Sequence, residues 1–358
     1  MMSNFISEIN VRAYRGLHNL FINNLGKFNL LVGNNNSGKT SLLETLRILS
    51  QPNDLGIICS TALSRNSMVK RNDFTDTVLT LFQKDILDSE DDKVMSQTYS
   101  MDLACVYDNK TISLEANVEV IDKLSLNKEL DESFEDGISR FIEGSLKTSN
   151  GDKKESIVFS LDTDSDISID ETKKTYNSVF MPVNVSLYRS CVVFYLDAIK
   201  EDKKEDFIKI LNIFDEHITD ISIVEKTIWV HSSVKSTMPL FAYGSGMQKA
   251  LLIALTILKA KDGVLLIDEI ETAIHTSALK DIFEFIIKAC NELNVQLFAT
   301  THSIEIVDKL LQCEKSELDN IRIITLTNDD LKHKTLTRVL DGKTAYDERK
   351  EYNLELRI

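Results

Sequence analysis

The chain is poor in residues that break or cross-link structure. Three prolines and twelve glycines in 358 residues exclude a collagen-like or low-complexity protein. The five cysteines, Cys59, Cys105, Cys191, Cys290 and Cys313, stand far apart and form no CxxC pair. Neither a disulfide framework nor a zinc site is indicated, and free thiols in a reducing compartment are expected. The longest apolar runs, such as Ala250 to Leu258 and Val264 to Ile267, fall far short of the roughly 20 residues that cross a bilayer. Met1 to Phe5 is not followed by the basic-then-apolar order of a secretion signal. A cytoplasmic protein that does not engage a membrane is therefore expected. Basic residues are also in deficit: 41 Lys and Arg face 56 Asp and Glu, for a net charge of −15. That balance argues against a general nucleic-acid coat, although it leaves room for a local basic patch.

What is present is a large apolar fraction. A composition 43% hydrophobic can bury a sizeable core, in one elaborated domain or two. Phe5 to Val11 alternates as a strand does, and Phe28 to Val32 reads as a short buried strand. Gly33 to Thr40 breaks the pattern, and Ser41 to Ser50 then places Leu42, Leu43, Leu46 and Leu49 at helical spacing. Tyr99 to Val120 reads as a β-hairpin. Ile121 to Thr175 is rich in Asp, Glu, Lys and Ser, and is expected to be an acidic, partly mobile insertion with a solvated surface. A strand is expected at Cys191 to Leu196, a helix at Lys204 to Phe214, and one or two strands between Ile221 and Ser232. Then come a helix at Gly246 to Lys259, a buried strand at Gly263 to Asp268 and a helix at Ser277 to Leu293. A second buried strand at Val295 to Thr300, a helix at Ser303 to Leu311, and closing strands at Ile321 to Leu326 and Thr335 to Leu340 complete the pattern. Strands alternating with helices indicate a layered α/β domain with a largely parallel central sheet.

Gly33-Asn34-Asn35-Asn36-Ser37-Gly38-Lys39-Thr40 matches GxxxxGK[ST] in full, between a strand and a helix as that motif requires. Backbone N–H groups of such a loop, with the helix N-terminus, form an anion cradle. Gly33 and Gly38 permit the backbone angles and the close approach. Lys39 is expected to pair with the β- and γ-phosphates of ATP and Thr40 to offer its hydroxyl to Mg²⁺, with Ser41 nearer the α-phosphate. Val264 to Ile267 is an apolar strand ending in Asp268 and Glu269. Acids at the carboxyl end of a buried parallel strand lie where ligands bind in open α/β sheets. Asp268 is expected to hold the Mg²⁺ shell, and Glu269 to orient or deprotonate the attacking water. Glu271 reads equally as structural.

Two further motifs narrow the class. Ser245-Gly246-x-Gln248, at the start of the apolar helix before the Asp268 strand, is similar to the ABC signature, with Met247 in place of its usual second glycine. A serine and backbone N–H groups at a helix start suit a γ-phosphate. In ABC proteins that phosphate belongs to the other subunit. Thr300-Thr301-His302-Ser303 follows the next buried strand, where His302 stands like the switch histidine of ABC proteins. His275 falls where a dimer-contacting D-loop would lie, and Gln83 is the best candidate for the Q-loop.

Together these motifs resemble the ABC-type ATPases of the RecF, SMC and OLD group, often labelled AAA-family or AAA15-type ATPases in bacteria. The stretches Val11-Arg12-Ala13-Tyr14-Arg15-Gly16-Leu17, VGNNNSGKTSLLE, YGSGMQKALLIAL, LLIDEIETAIH and FATTHS carry the resemblance. It implies a P-loop NTPase of ABC type, a layered, mixed and largely parallel sheet with helices and an antiparallel β subdomain. The ATPase domain would span 1–120 and 177–345, split by the acidic insertion at 121–176 and followed by a tail at 346–358. It also implies ATP-driven homodimerisation, or a higher assembly of dimers, with each nucleotide between one P-loop and the partner's Ser245 region. Arg15 touches nucleotide in such proteins. Only about 56 residues follow His302, too few for the Toprim nuclease domain of OLD proteins, and long heptad arms are absent. The expectation is therefore a stand-alone, slow ATPase that gates a separate effector protein, in the setting of bacterial anti-phage defence. The alternative is a RecF- or SMC-like ATPase that clamps DNA in repair or maintenance.

Overall fold

The computed structural model describes residues 5–65, 74–84, 98–124, 138–162, 165, 174–183, 186–272, 279–313, 315–329 and 332–356. The chain opens with β1 (Ile6–Tyr14), β2 (Leu17–Ile22), β3 (Phe28–Val32), α1 (Lys39–Leu49), α2 (Leu55–Leu63), α3 (Phe74–Leu79) and the two-residue β4 (Gln83–Lys84). A meander follows: β5 (Thr98–Tyr107), β6 (Lys110–Leu124), β7 (Ile138–Asn150) and β8 (Lys153–Leu161). Then come β9 (Ser178–Met181), α4 (Leu187–Lys200), α5 (Lys204–Phe214), the hairpin β10 (Ile218–Val224) and β11 (Thr227–Ser232), and the short β12 (Met238–Pro239). The last part is α6 (Ser245–Lys259), β13 (Val264–Ile267), α7 (Leu279–Glu292), β14 (Gln296–Thr300), α8 (Ile304–Leu311), β15 (Ile321–Asp329), β16 (Lys334–Asp341) and α9 (Gly342–Tyr352).

The fold is mixed α/β. Its central sheet has the order β16-β15-β3-β14-β13-β9, and every pairing in it is parallel except β15 with β16. All residues of β3, β13 and β14 are buried, as expected for parallel strands covered on both faces. Alternation assigns them to two cores. Leu31, Leu266, Phe298 and Ile324 pack with Leu42, Leu43 and Leu46 of α1. Leu30, Leu265, Leu297 and Ile323 point the other way, into a core with α6 and α7. The far side of α1 meets the antiparallel sheet β2-β1-β5-β6-β7-β8 through Ile9, Val11, Leu103 and Leu114. Helix α1 is thus clamped between two sheets, which fixes the loop preceding it. The order β3-β14-β13 brings the carboxyl ends of these strands side by side, where Gly33, Thr301 and Asp268 begin their loops.

Three sequence expectations need correction. Cys191 to Leu196 belongs to helix α4, not to a strand: Cys191, Tyr195 and Ala198 are its buried residues, spaced by four and three, a pattern a short apolar run does not distinguish from a strand. The stretch expected as an acidic, partly mobile insertion from 121 contains β7 and β8, which continue the antiparallel sheet through full ladders. Charges on one face are compatible with strand alternation, and Ile142 and Leu146 are buried on the other. The region expected as a tail from 346 is largely α9, capped where the Asp341 side chain accepts from the Thr344 N–H. Leu356 beyond it is buried, and its carbonyl accepts from Thr325. Among the described residues, no helix is long and apolar enough to cross a membrane.

Candidate functional site

The loop from β3 to α1 is shaped by glycine where nothing else fits. Gly33 has φ 143°, and a Cβ there would lie 2.6 Å from the Leu326 carbonyl oxygen and 2.8 Å from Ser37 Oγ. Gly38 has φ 93° and directly precedes α1, whose first turn receives no side-chain cap. Those uncapped N–H groups are available to an anion. Asn36 also has positive φ, 63°, and its carbonyl accepts from Asn328 Nδ2 at 3.0 Å. Lys39 is buried, and its ammonium donates to the carbonyls of Gly33 and Asn34 at 2.8 Å each. Burial lowers its pKa, opposed by Asp268, Glu269 and Glu271.

The second strand supplies the acids. Thr40 Oγ1 donates to the Asp268 carboxylate at 2.9 Å, and Thr300 Oγ1 donates to the same carboxylate at 2.7 Å. Three elements far apart in sequence therefore converge on one buried acid. Glu269 takes φ 49° as the chain leaves β13. Its N–H donates to Thr300 Oγ1 at 2.8 Å, while its half-exposed carboxylate accepts from Thr272 and lies 3.9 Å from His302 Nε2. Glu271 holds the next loop: its Oε1 accepts from the Thr301 hydroxyl at 2.8 Å and the His302 N–H at 3.0 Å. Glu271 thus sets the backbone of the histidine.

A cavity of about 550 Å³ opens over these groups. Asn35, Asn36, Ser37, Gly38, Lys39, Thr40, Ser41, Glu269 and His302 line it, together with Arg15, Gly16 and Arg65. Asp268 lies beneath Thr40, and Asn34 contributes its carbonyl to Lys39. The exposed Ser245 and the half-buried Gly246, at the start of α6, do not line this cavity. His275 lies outside the described residues. Gln83 does not line the cavity either; its amide donates to the carbonyls of Arg15 and Leu17 at 2.9 and 2.7 Å, bracing the β1–β2 turn.

The structure adds residues that sequence reasoning missed. Glu44, fully buried in α1, accepts from Tyr14 OH at 3.0 Å, Arg15 Nε at 2.9 Å and Arg65 Nε at 2.7 Å. Arg65 also donates to Ser41 Oγ at 3.1 Å. The Nη2 of Arg15 is buried without a partner among the described residues. The available signal was a lone acid among the leucines of SLLETL, one helical turn after Thr40. Burial and the neighbouring Glu44 hold the Tyr14 hydroxyl in its protonated form.

Lys249, one turn into α6, is 3% exposed, and burial pushes its pKa down to about 8 against the pull of Glu271. A lysine whose folded pKa lies below its unfolded value opposes folding while both states are protonated, and the opposition fades as pH rises from 8 towards 10.5. Lys249→Met should therefore stabilise the protein by roughly 1–3 kcal/mol at pH 7, and by much less near pH 10. Urea midpoints of both proteins at the two pH values measure this. A gain that is equal at both would contradict the assignment.

Residues 28–308 match the family described as "AAA domain, putative AbiEii toxin, Type IV TA system". A Helicobacter pylori protein named ATP/GTP phosphatase is 22% identical over 377 residues, which cover 98% of each chain. An uncharacterized protein of Methanocaldococcus jannaschii is 40% identical over 86 residues, 24% of this chain and 75% of its own. Among solved structures, an SMC head bound to the C-terminal winged-helix domain of ScpA is similar over 95% of this chain and 99% of its own, at 12% identity and a TM-score of 0.48. The SMC head domain from Thermotoga maritima is similar over 94% and 99%, at 10% identity and a TM-score of 0.46.

Proposed function

The chain belongs to this family of AAA domains, and from that premise we propose that it binds ATP with Mg²⁺ and hydrolyses it slowly, as an ABC-type ATPase that dimerises around nucleotide. The observation that carries this reading is the meeting of Thr40, Asp268 and Thr300 beneath a glycine-shaped anion cradle. In it, the amides of Gly33 to Thr40 gather the phosphates. The Lys39 ammonium exchanges the Gly33 and Asn34 carbonyls for β- and γ-phosphate oxygens. Thr40 and Asp268 offer the hydroxyl and carboxylate oxygens that suit Mg²⁺. When bound, Mg²⁺ neutralises charge developing between the β- and γ-phosphates. Glu269 accepts a proton from the attacking water, and His302, 3.9 Å from it, orients that water or senses the γ-phosphate.

The site is completed by the Ser245–Gly246 turn of a second copy. The exposure of Ser245, the uncapped helix start and the absence of both residues from the lining of their own chain's P-loop cavity support this. The consequence is regulation of a separate effector by nucleotide-dependent assembly. Anti-phage defence as its setting rests on the resemblance of its motifs to those of the OLD group.

A mixing experiment tests the shared site. Lys39→Ala removes the cradle's cation, and Ser245→Arg blocks the signature turn, so each protein alone should be inactive. A mixture should regain measurable hydrolysis, because each heterodimer keeps one intact pairing of P-loop and signature turn. Full activity of Ser245→Arg alone would contradict dimer-dependent hydrolysis.

A further inference from the structure

The hairpin of β15 and β16 reaches the P-loop from outside the motifs that form it. β15 pairs with β3 as far as Thr325 and Val32. There β3 gives way to the loop, while β15 runs on beside it. The Leu326 carbonyl oxygen lies against Gly33, 2.6 Å from where a Cβ would stand. Two residues later, Asn328 Nδ2 donates to the Asn36 carbonyl at 3.0 Å. Asn328 is the cross-strand partner of Thr335 in β16, and its Oδ1 accepts from Thr335 Oγ1 at 3.0 Å. Thr335 Oγ1 in turn accepts from the His18 N–H at 3.1 Å. The neighbour of His18, Leu17, packs against Gly38 at the other end of the loop.

The direction of this chain of bonds is fixed by its ends. A backbone N–H only donates, and a backbone carbonyl only accepts. Between the His18 N–H and the Asn36 C=O, the hydroxyl and the amide have a single consistent arrangement. Thr335 accepts from His18 and donates to Asn328 Oδ1, which turns Asn328 Nδ2 towards the loop. The buried Thr335 hydroxyl thus decides which way the Asn328 amide faces.

What the chain holds is one peptide unit. Asn36 has a left-handed φ of 63°, which Asn tolerates at some cost. The planar unit that joins it to Ser37 is gripped at both ends, its oxygen by Asn328 and its N–H by the Asn34 carbonyl at 3.3 Å. The flanking N–H groups are those of Asn36 and Gly38, two residues that line the nucleotide cavity. Asn36 is exposed, so water would satisfy its carbonyl equally well. The bond from Asn328 therefore matters for direction rather than for burial. Every link is neutral, and the loop is fixed without placing negative charge beside phosphates.

We propose that Asn328, oriented by Thr335, is a positioning residue for nucleotide binding that holds the P-loop in its phosphate-accepting form before ATP arrives. This rests on the reading of the cavity as a nucleotide site. Ordering a loop in advance lowers the cost of binding and so acts on affinity. The groups assigned to the chemical step, Asp268, Glu269 and His302, are held by other partners, so the step itself is left alone.

The test is isothermal titration of Mg·ATP and steady-state hydrolysis for the wild type, Asn328→Leu, Thr335→Val and Thr335→Ser, each with its urea midpoint. With slow chemistry, KM follows Kd. Asn328→Leu should raise both about three- to tenfold, the change that one neutral hydrogen bond supplies, with kcat within about twofold. Thr335→Val should act in the same direction by releasing the amide, and Thr335→Ser, which keeps the hydroxyl, should restore wild-type affinity. The Thr335 pair keeps the test decisive should Asn328→Leu fail to fold. A merely structural role would lower the urea midpoint and the active fraction, and hence kcat, while KM stayed in place. An unchanged KM in Asn328→Leu, a loss confined to kcat, or affinity that Thr335→Ser recovers no better than Thr335→Val would each overturn the proposal. Absence of Mg·ATP uptake by the wild type would instead strike the nucleotide reading beneath it.

Discussion

Replacing Glu269 by Gln should lower ATP hydrolysis by about 10²–10⁴-fold, the range that general-base catalysis supplies, while leaving ATP affinity within a few-fold. Gln keeps the size of Glu and can still accept from Thr272, but it loses the basic oxygen. The bond that holds this turn comes from the Glu269 backbone N–H to Thr300, so the substitution leaves the left-handed turn in place. Asp268 and Thr40 are untouched, and uptake of magnesium nucleotide should persist. With cleavage blocked, the nucleotide-closed dimer should accumulate and elute as such in size-exclusion chromatography with ATP. Robust turnover by this variant would remove Glu269 from the role of base, and His302 would be the next group to examine.

The largest effect on stability is expected at Glu44. This carboxylate is fully buried, and three side chains from β1, the turn after it and the end of α2 converge on it. Glu44→Ala leaves Arg15, only 12% exposed at its side chain, without its anion. Breaking a buried pair from one side typically costs about 3–5 kcal/mol. Glu44→Gln should cost less, since an amide oxygen still accepts while the charge is lost. Urea unfolding of the three proteins measures the order, and a loss below about 1 kcal/mol for Glu44→Ala would show that the cluster does not hold the fold. Because Glu44 lies one turn from Thr40, a loosened cluster should also weaken nucleotide binding.

How much of this was legible in the sequence depended on contiguity. Phe28 to Val32 and Val264 to Ile267 read correctly as buried strands because every residue in them but Asn29 is apolar, close to the pattern that two covered faces demand. The P-loop, the acids after β13 and the histidine after β14 were legible because each occupies a fixed place beside a strand, and the parallel order β3-β14-β13 gathers them. What escaped was information carried between distant segments. Arg65 and Tyr14 give no local sign that they meet at Glu44. Nothing in the sequence announces that Asn328 reaches the Asn36 carbonyl, or that Thr300 shares Asp268 with Thr40. The strands β7 and β8 were hidden by composition, because charges on the solvent face resemble those of an unstructured insertion. In α4, the run Cys191 to Leu196 was too short for its period to be read, and only burial of Tyr195 and Ala198 fixes it as helix.

The most direct measurement of the central claim is isothermal titration of Mg·ATP into the wild-type protein and into Lys39→Ala. The wild type should take up one nucleotide per chain, and Lys39→Ala should lose most of that affinity, because the only side-chain cation held inside the P-loop would be gone. No uptake by the wild type, or undiminished uptake by Lys39→Ala, would contradict the assignment of this cavity to nucleotide.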